Sequence, residues 1–107
     1  MALGKKRLYG PTQVAGTDAT AYTAHATLGA VIRQVHIVNT DTVTRWASWG
    51  LNGTAATAAN CVLYQLAIPA KGTYDWTGEI AMAGGDTIHA IQESATACTY
   101  VISGDGA

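Results

Sequence analysis

The residues that could carry chemistry are scattered along this 107-residue chain. His25, His36 and His89 fall in three separate segments, without the HxH or HExxH spacing that brings two imidazoles to one metal ion. Cys61 and Cys98 form neither a CxxC pair nor a metal-ligand cluster. We expect them to be small buried hydrophobic residues, and a disulfide between them stays open. The sequence therefore predicts a protein that needs no metal and no cofactor.

The acidic and hydroxyl side chains do not form a recognisable catalytic group. The seven Asp and Glu residues are spread out, and most of them lie at turns, where Asp bonds the local backbone. Ser48, Ser94 and Ser103 lack the GxSxG context of an activated nucleophile. The pair Gly84-Gly85 is typical of a turn rather than of a nucleotide-binding glycine motif. We expect that the protein is not an enzyme and has no catalytic residues.

The low charge content is the most unusual feature of the composition. Asp, Glu, Lys and Arg make up 12% of the residues, about half of the usual ~25%. We interpret this as a surface that neighbouring chains cover in an assembly. A neutral surface rich in Thr, Ser and Asn is the alternative interpretation.

The positive charge is concentrated at the N-terminus. Lys5, Lys6 and Arg7 supply half of it, while the net charge of the whole chain is −1. This is too little positive charge for a nucleic-acid groove, so we expect no nucleic-acid partner. No apolar run approaches the length of a membrane span, and none follows these cations as in a signal peptide. We therefore expect no membrane partner and synthesis in the cytoplasm.

The first ten residues are predicted to form a basic arm in front of a single domain of residues 11–107. Besides the three cations, Leu8 and Tyr9 are its only sizeable apolar groups, and Gly10-Pro11 ends it. The predicted contacts of this arm with a partner are Lys5, Lys6, Arg7, Leu8 and Tyr9. The alternative is that Leu8 and Tyr9 begin a strand of the domain itself and that the cations are merely solvated.

Turn signals recur every eight to twelve residues and predict seven or eight short strands with no helix. The predicted strands cover residues 19–27, 30–39, 43–51, 61–68, 73–82, 87–92 and 99–103. The second and third of these are expected to form a hairpin. The pattern, together with 15 Thr and 12 Gly, is typical of an all-β fold, a small jelly-roll-like β-sandwich.

Two tryptophans form the most conspicuous cluster. Trp46 and Trp49 lie three residues apart in a predicted strand, so they point to opposite faces. One is expected to pack inside the sandwich. The other either contacts a partner, where Trp is favoured, or is covered by another part of the same chain. Both are candidate interface residues.

Four stretches of the chain resemble a family of short virion proteins that tailed bacteriophages encode. They are MALGKKRLYGPTQ (residues 1–13), VIRQVHIVNTDT (31–42), LNGTAA (51–56) and IPAKGTYDWTGEIAMAGGDTIHAI (68–91). The chain departs from the family pattern at residues 46–49, at His25 and at the two cysteines. The resemblance implies a non-enzymatic β-sandwich that is made in the host cytoplasm and coats or completes a phage particle.

The resemblance predicts a capsid decoration protein that binds the major capsid protein and stabilises the shell. We expect it to associate with itself, as a trimer, because several weak contacts become strong when copies bind as one unit. One alternative is a minor tail protein that contacts tail proteins. Another is a carbohydrate-binding receptor module that uses Trp46 or Trp49 as a sugar platform.

Overall fold

The computed structural model describes residues 2–13, 19–52, 60–94 and 96–107, and all the regular elements in that part of the chain are β-strands. The strands are β1 (Gly4–Gln13), β2 (Ala19–Thr23), β3 (Ala30–Asn39), β4 (Arg45–Leu51), β5 (Cys61–Ile68), β6 (Thr73–Met82), β7 (Thr87–Gln92) and β8 (Cys98–Gly106). Met1 of the predicted arm and residues 53–56 of the phage-protein resemblance lie outside the described residues. The predicted all-β class is confirmed.

The strands form two four-stranded antiparallel sheets. Sheet A has the order β1-β8-β3-β6, and sheet B has the order β2-β7-β4-β5. The first strand pairs with the last, the second with the seventh, the third with the sixth and the fourth with the fifth. This is the strand pairing of a long hairpin rolled into a jelly roll. The predicted jelly-roll-like sandwich is therefore confirmed at the level of strand order.

The core lies between the sheets because alternate residues of each inner strand point inward. In β8 every second residue from Cys98 to Gly106 is buried. Ile32, Val35 and Ile37 of sheet A have no exposed surface, nor have Trp49 and Ile88 of sheet B. The indole of Trp49 packs edge-to-face on that of Trp76 in β6, with ring centroids 5.4 Å apart. This aromatic pair joins the two sheets at their β4 and β6 strands.

The predicted hairpin between β3 and β4 is wrong, because these strands belong to different sheets. Asn39 shows the physical reason. Its buried amide Nδ2 donates to the carbonyls of Val43 and Ile68, each at 2.9 Å, and its Oδ1 accepts from the Asp41 backbone N–H. Since Ile68 ends β5 of sheet B, this one side chain fixes the corner at which the chain crosses between sheets.

The predicted arm is also corrected for its described part. Residues 4–7 pair in regular antiparallel register with β8, from Gly4 opposite Gly106 to Arg7 opposite Ser103. Leu8 then buries its side chain in the core. The cations are compatible with strand structure because β1 is an edge strand, where their long side chains stay in water. The domain therefore begins before residue 11.

Candidate assembly interface

Charge is segregated between the two sheets. The strands of sheet A carry seven charged residues: Lys5, Lys6, Arg7, Arg33, Asp75, Glu79 and Asp105. Within the strands of sheet B, as the structure describes them, Arg45 is the only Asp, Glu, Lys or Arg. It starts β4 and is paired with Asp41 at 2.8 Å and with Glu93 at 3.4 Å. Sheet B is thus nearly free of uncompensated charge.

The exposed apolar surface of sheet B lies on its edge strand β5. Val62, Tyr64 and Leu66 remain 38%, 48% and 36% exposed. Ala67 is exposed as well and lies opposite the half-buried Trp46 in β4. We call these five residues the β5 surface. Large apolar groups gathered on one uncharged strand are typical of a surface that another protein covers.

A bulge shapes the middle of β5. Gln65 has a positive φ of 46°, and the register with β4 shifts by one residue between the Leu66 and Leu63 pairs. The Gln65 backbone N–H donates to the Ser48 hydroxyl at 2.7 Å, which holds the bulge in place. A bulged edge resists continuous addition of a further strand. The β5 surface is therefore suited to contacts through side chains rather than through a backbone ladder.

The other three edges differ from β5 in ways that disfavour apolar contacts. The edge β1 carries three adjacent cations, and the edge β6 carries Asp75 and Glu79. The edge β2 has only five residues. Charged or short edge strands prevent unwanted association. Among the described edges, β5 alone is both long and uncharged.

The three predicted N-terminal cations do not act as one group. Lys6 extends along the strand end and donates its Nζ to the Ala107 carbonyl oxygen at 2.8 Å. Within the described residues, Lys5 and Arg7 form no ion pair. Together with Arg33, Ser103 and Gly104, the three cations line an open depression of about 430 Å³. The side chain of Arg33 was not among the predicted contact residues.

The predicted aromatic and apolar contacts separate into buried and accessible ones. Leu8 and Trp49 are core residues, so neither is available to a partner while the domain is folded. Tyr9 packs against the core and is half-buried, and burial raises the pKa of its phenol. Of the two predicted tryptophans, Trp46 is the one that remains partly accessible. Trp49 is therefore not accessible as a sugar platform in the folded domain, which leaves Trp46 for the carbohydrate-binding alternative.

The described histidine and cysteine side chains lie in different parts of the fold and form no common site. The imidazole Nδ1 of His25 accepts the backbone N–H groups of Thr27 and Leu28, so this ring stabilises a turn. In the described part of the chain no three His, Cys, Asp or Glu side chains are grouped for a metal ion. Cys61 and Cys98 lie in different sheets and are not joined by a disulfide.

Comparison with known proteins adds no family assignment. No protein-family model matches this chain, and no curated protein matches it significantly. In the described residues there is no helix long and apolar enough to cross a membrane. The likeness to phage virion proteins therefore stays a prediction from the four sequence stretches.

Proposed function

We propose that this chain is a non-enzymatic structural protein of a tailed-bacteriophage virion. In this proposal it is a capsid decoration protein that binds the major capsid protein and stabilises the shell. The observation that carries the proposal is the β5 surface, an uncharged edge strand with three exposed large apolar side chains. The sequence resemblance supplies the phage context, and the jelly roll is a fold that viral capsid domains use.

In this proposal the contact with the shell depends on the area of apolar surface that is buried and not on specific polar bonds. Burial of apolar surface contributes about 25 cal/mol per Å² removed from water. A single small patch gives weak attachment, but three copies joined in a trimer present three such patches to a repeating lattice. Linked contacts of this kind raise the overall affinity without any new interaction. Stabilisation of the shell follows because the bound trimer connects neighbouring capsid subunits.

A charge placed on the β5 surface tests the proposal. We expect Tyr64→Lys combined with Leu66→Lys to weaken co-sedimentation with shells by at least about tenfold, since desolvating two ammonium groups costs more than 1.4 kcal/mol. The matched control is Thr73→Lys combined with Thr77→Lys, which adds the same charge at exposed positions of β6. Both variants are expected to keep the far-UV circular dichroism of the β-sandwich. Equal attachment by the two variants would contradict a role for β5.

Copy number distinguishes a decoration protein from a tail-associated one. Quantitative mass spectrometry of purified particles measures this chain relative to the major capsid protein. We expect a ratio set by the capsid lattice, with copies over the whole shell. A few copies per particle, recovered with isolated tails, would replace the decoration role by the minor-tail role.

A further inference from the structure

The depression on the outer face of sheet A is built by the sizes of its residues. The strand β8 lies between β1 and β3 and contributes Ser103 and Gly104 to the floor. Gly104 tolerates no side chain, because a Cβ there would lie 1.9 Å from the Val31 carbonyl oxygen. Long cationic side chains rise on both sides, with Arg7 opposite Ser103 on β1. The floor is therefore small and polar, and the walls are positively charged.

Arg33 is held in place in the wall on the β3 side. Its Nε and Nη2 donate to Asp105 Oδ2 at 2.9 and 2.8 Å, and its Nη1 lies 3.2 Å from Glu79 Oε1. A guanidinium has five N–H donors, so two remain for a ligand. Ordering these donors in advance reduces the entropy lost when a ligand binds. Arg33 is thus a guanidinium held in one orientation beside Lys5 and Arg7, which form no ion pair among the described residues.

We propose that this depression binds a carboxylate-rich segment of a partner protein. Arg7 and Arg33 lie on opposite sides of Ser103, so one carboxylate can receive N–H groups from both walls and the Ser103 hydroxyl from the floor. Lys5 adds a second, mobile cation for a neighbouring acidic residue. This binding does not depend on the decoration role, since it uses the opposite sheet from the β5 surface.

The charges around the depression favour carboxylates over nucleic acid. Asp105 and Glu79 lie beside Arg33 and limit the positive surface to a few side chains, too few to follow a phosphate backbone. The lining residues include no aromatic side chain on which a base could stack. The chain as a whole carries a net charge of −1. A short acidic peptide can be bound through one or two of its carboxylates, which this limited positive surface can accommodate.

An octaglutamate peptide is the probe that tests the proposal, titrated into the ¹⁵N-labelled full chain. We expect shifts of the Ser103 and Gly104 amide signals and a Kd that rises with salt. Arg7→Glu is expected to raise the Kd about tenfold or more, because a charge-assisted pair becomes a repulsive one. Ser103→Leu keeps the charge but fills the floor, and a similar loss is expected. The matched control is Lys71→Glu, the same charge change in the β5–β6 turn, for which we expect at most about a twofold change.

Three results would overturn the proposal. Equal weakening by Arg7→Glu and Lys71→Glu would assign the effect to net charge alone. Undiminished binding by Ser103→Leu would exclude the depression. Tighter binding of a single-stranded DNA octamer than of octaglutamate would assign the site to nucleic acid. None of these results bears on the β5 surface, because its variants leave all lining residues of the depression unchanged.

Discussion

A single tyrosine ties the two sheets together at the residue scale. The buried Tyr100 hydroxyl of β8 has one O–H, which the carbonyl oxygens of Ser48 in β4 and Ile91 in β7 share at 2.9 and 3.1 Å. These three residues come from both sheets, so the bond resists their separation. Burial raises the pKa of this phenol well above its ordinary value, because the charged form would lose its hydration.

Tyr100→Phe is expected to lower the free energy of unfolding by about 1–2 kcal/mol at neutral pH, since the Ser48 and Ile91 carbonyl oxygens lose the O–H that they share. The pH dependence has a definite sign. The phenol pKa is higher in the folded than in the unfolded state. This difference stabilises the folded state in full at any pH below the pKa of the unfolded chain, about 10, and the stabilisation is lost as the pH rises above that value. Urea denaturation of both proteins from pH 7 to 11 measures this. We expect the wild type to lose more stability than the variant above pH 10, and parallel pH profiles would contradict the assignment.

The residue scale also shows where sequence patterns reach their limit. Opposite orientations of Trp46 and Trp49 follow from strand alternation, but which of them is buried depends on Trp76 in the facing sheet. The pattern contains no information on that partner. Arg33 is a similar case. It reads as an isolated cation in a strand, and only the pairing of β3 with β8 places it beside Ser103 and across from Arg7.

At the scale of elements, strands were more predictable than their partners. The bounds of β3 and β5 match the prediction, because each is rich in β-branched and large apolar residues between turn signals. The pairing partner of β3 does not follow from such a pattern. A short polar connection to the next strand is compatible both with a hairpin and with a crossing to the other sheet. Here the buried Asn39 selects the crossing through its bond to Ile68. The segment 4–13 has no alternating pattern from which a strand can be predicted, since Leu8 is the one buried residue of β1.

The pairing of β1 makes a prediction that differs from that for a free arm. Deleting residues 1–7 removes the pairs from Gly4 to Arg7 and leaves half of β8 as an open edge. We expect the free energy of unfolding to fall by about 1–3 kcal/mol, the net value of a few backbone hydrogen bonds. Chemical denaturation measures this. The control keeps the strand and neutralises its charge, as Lys5→Gln, Lys6→Gln and Arg7→Gln together, and is expected to change stability by less than about 0.5 kcal/mol. An unchanged free energy of unfolding after the deletion would contradict the pairing of residues 4–7 with β8 and support the free arm.

At the scale of the whole molecule, the two proposed contacts lie on opposite sides of the sandwich. β1 of sheet A contacts β2 of sheet B. The strands β2 and β5 are the two opposite edges of sheet B. Three strand spacings, about 14 Å, therefore separate the β2 side from the β5 side. One side is basic and preformed, and the other is apolar and uncharged. A protein with two such sides can contact two different partners.

This arrangement predicts how the two contacts combine. Variants more than about 10 Å apart with no shared partner act additively in free energy. Where the acidic partner segment belongs to the shell, Arg7→Glu joined to the double Lys variant of β5 is therefore expected to multiply the separate losses of attachment to shells. Salt distinguishes the contributions, because raising the ionic strength from 0.05 to about 0.5 M screens exposed ion pairs but leaves apolar burial in place. In co-sedimentation across that range, we expect the β5 variant to keep the salt dependence of the wild type and the Arg7 variant to lose most of it. Loss of salt dependence in the β5 variant instead would mean that both surfaces belong to one contact.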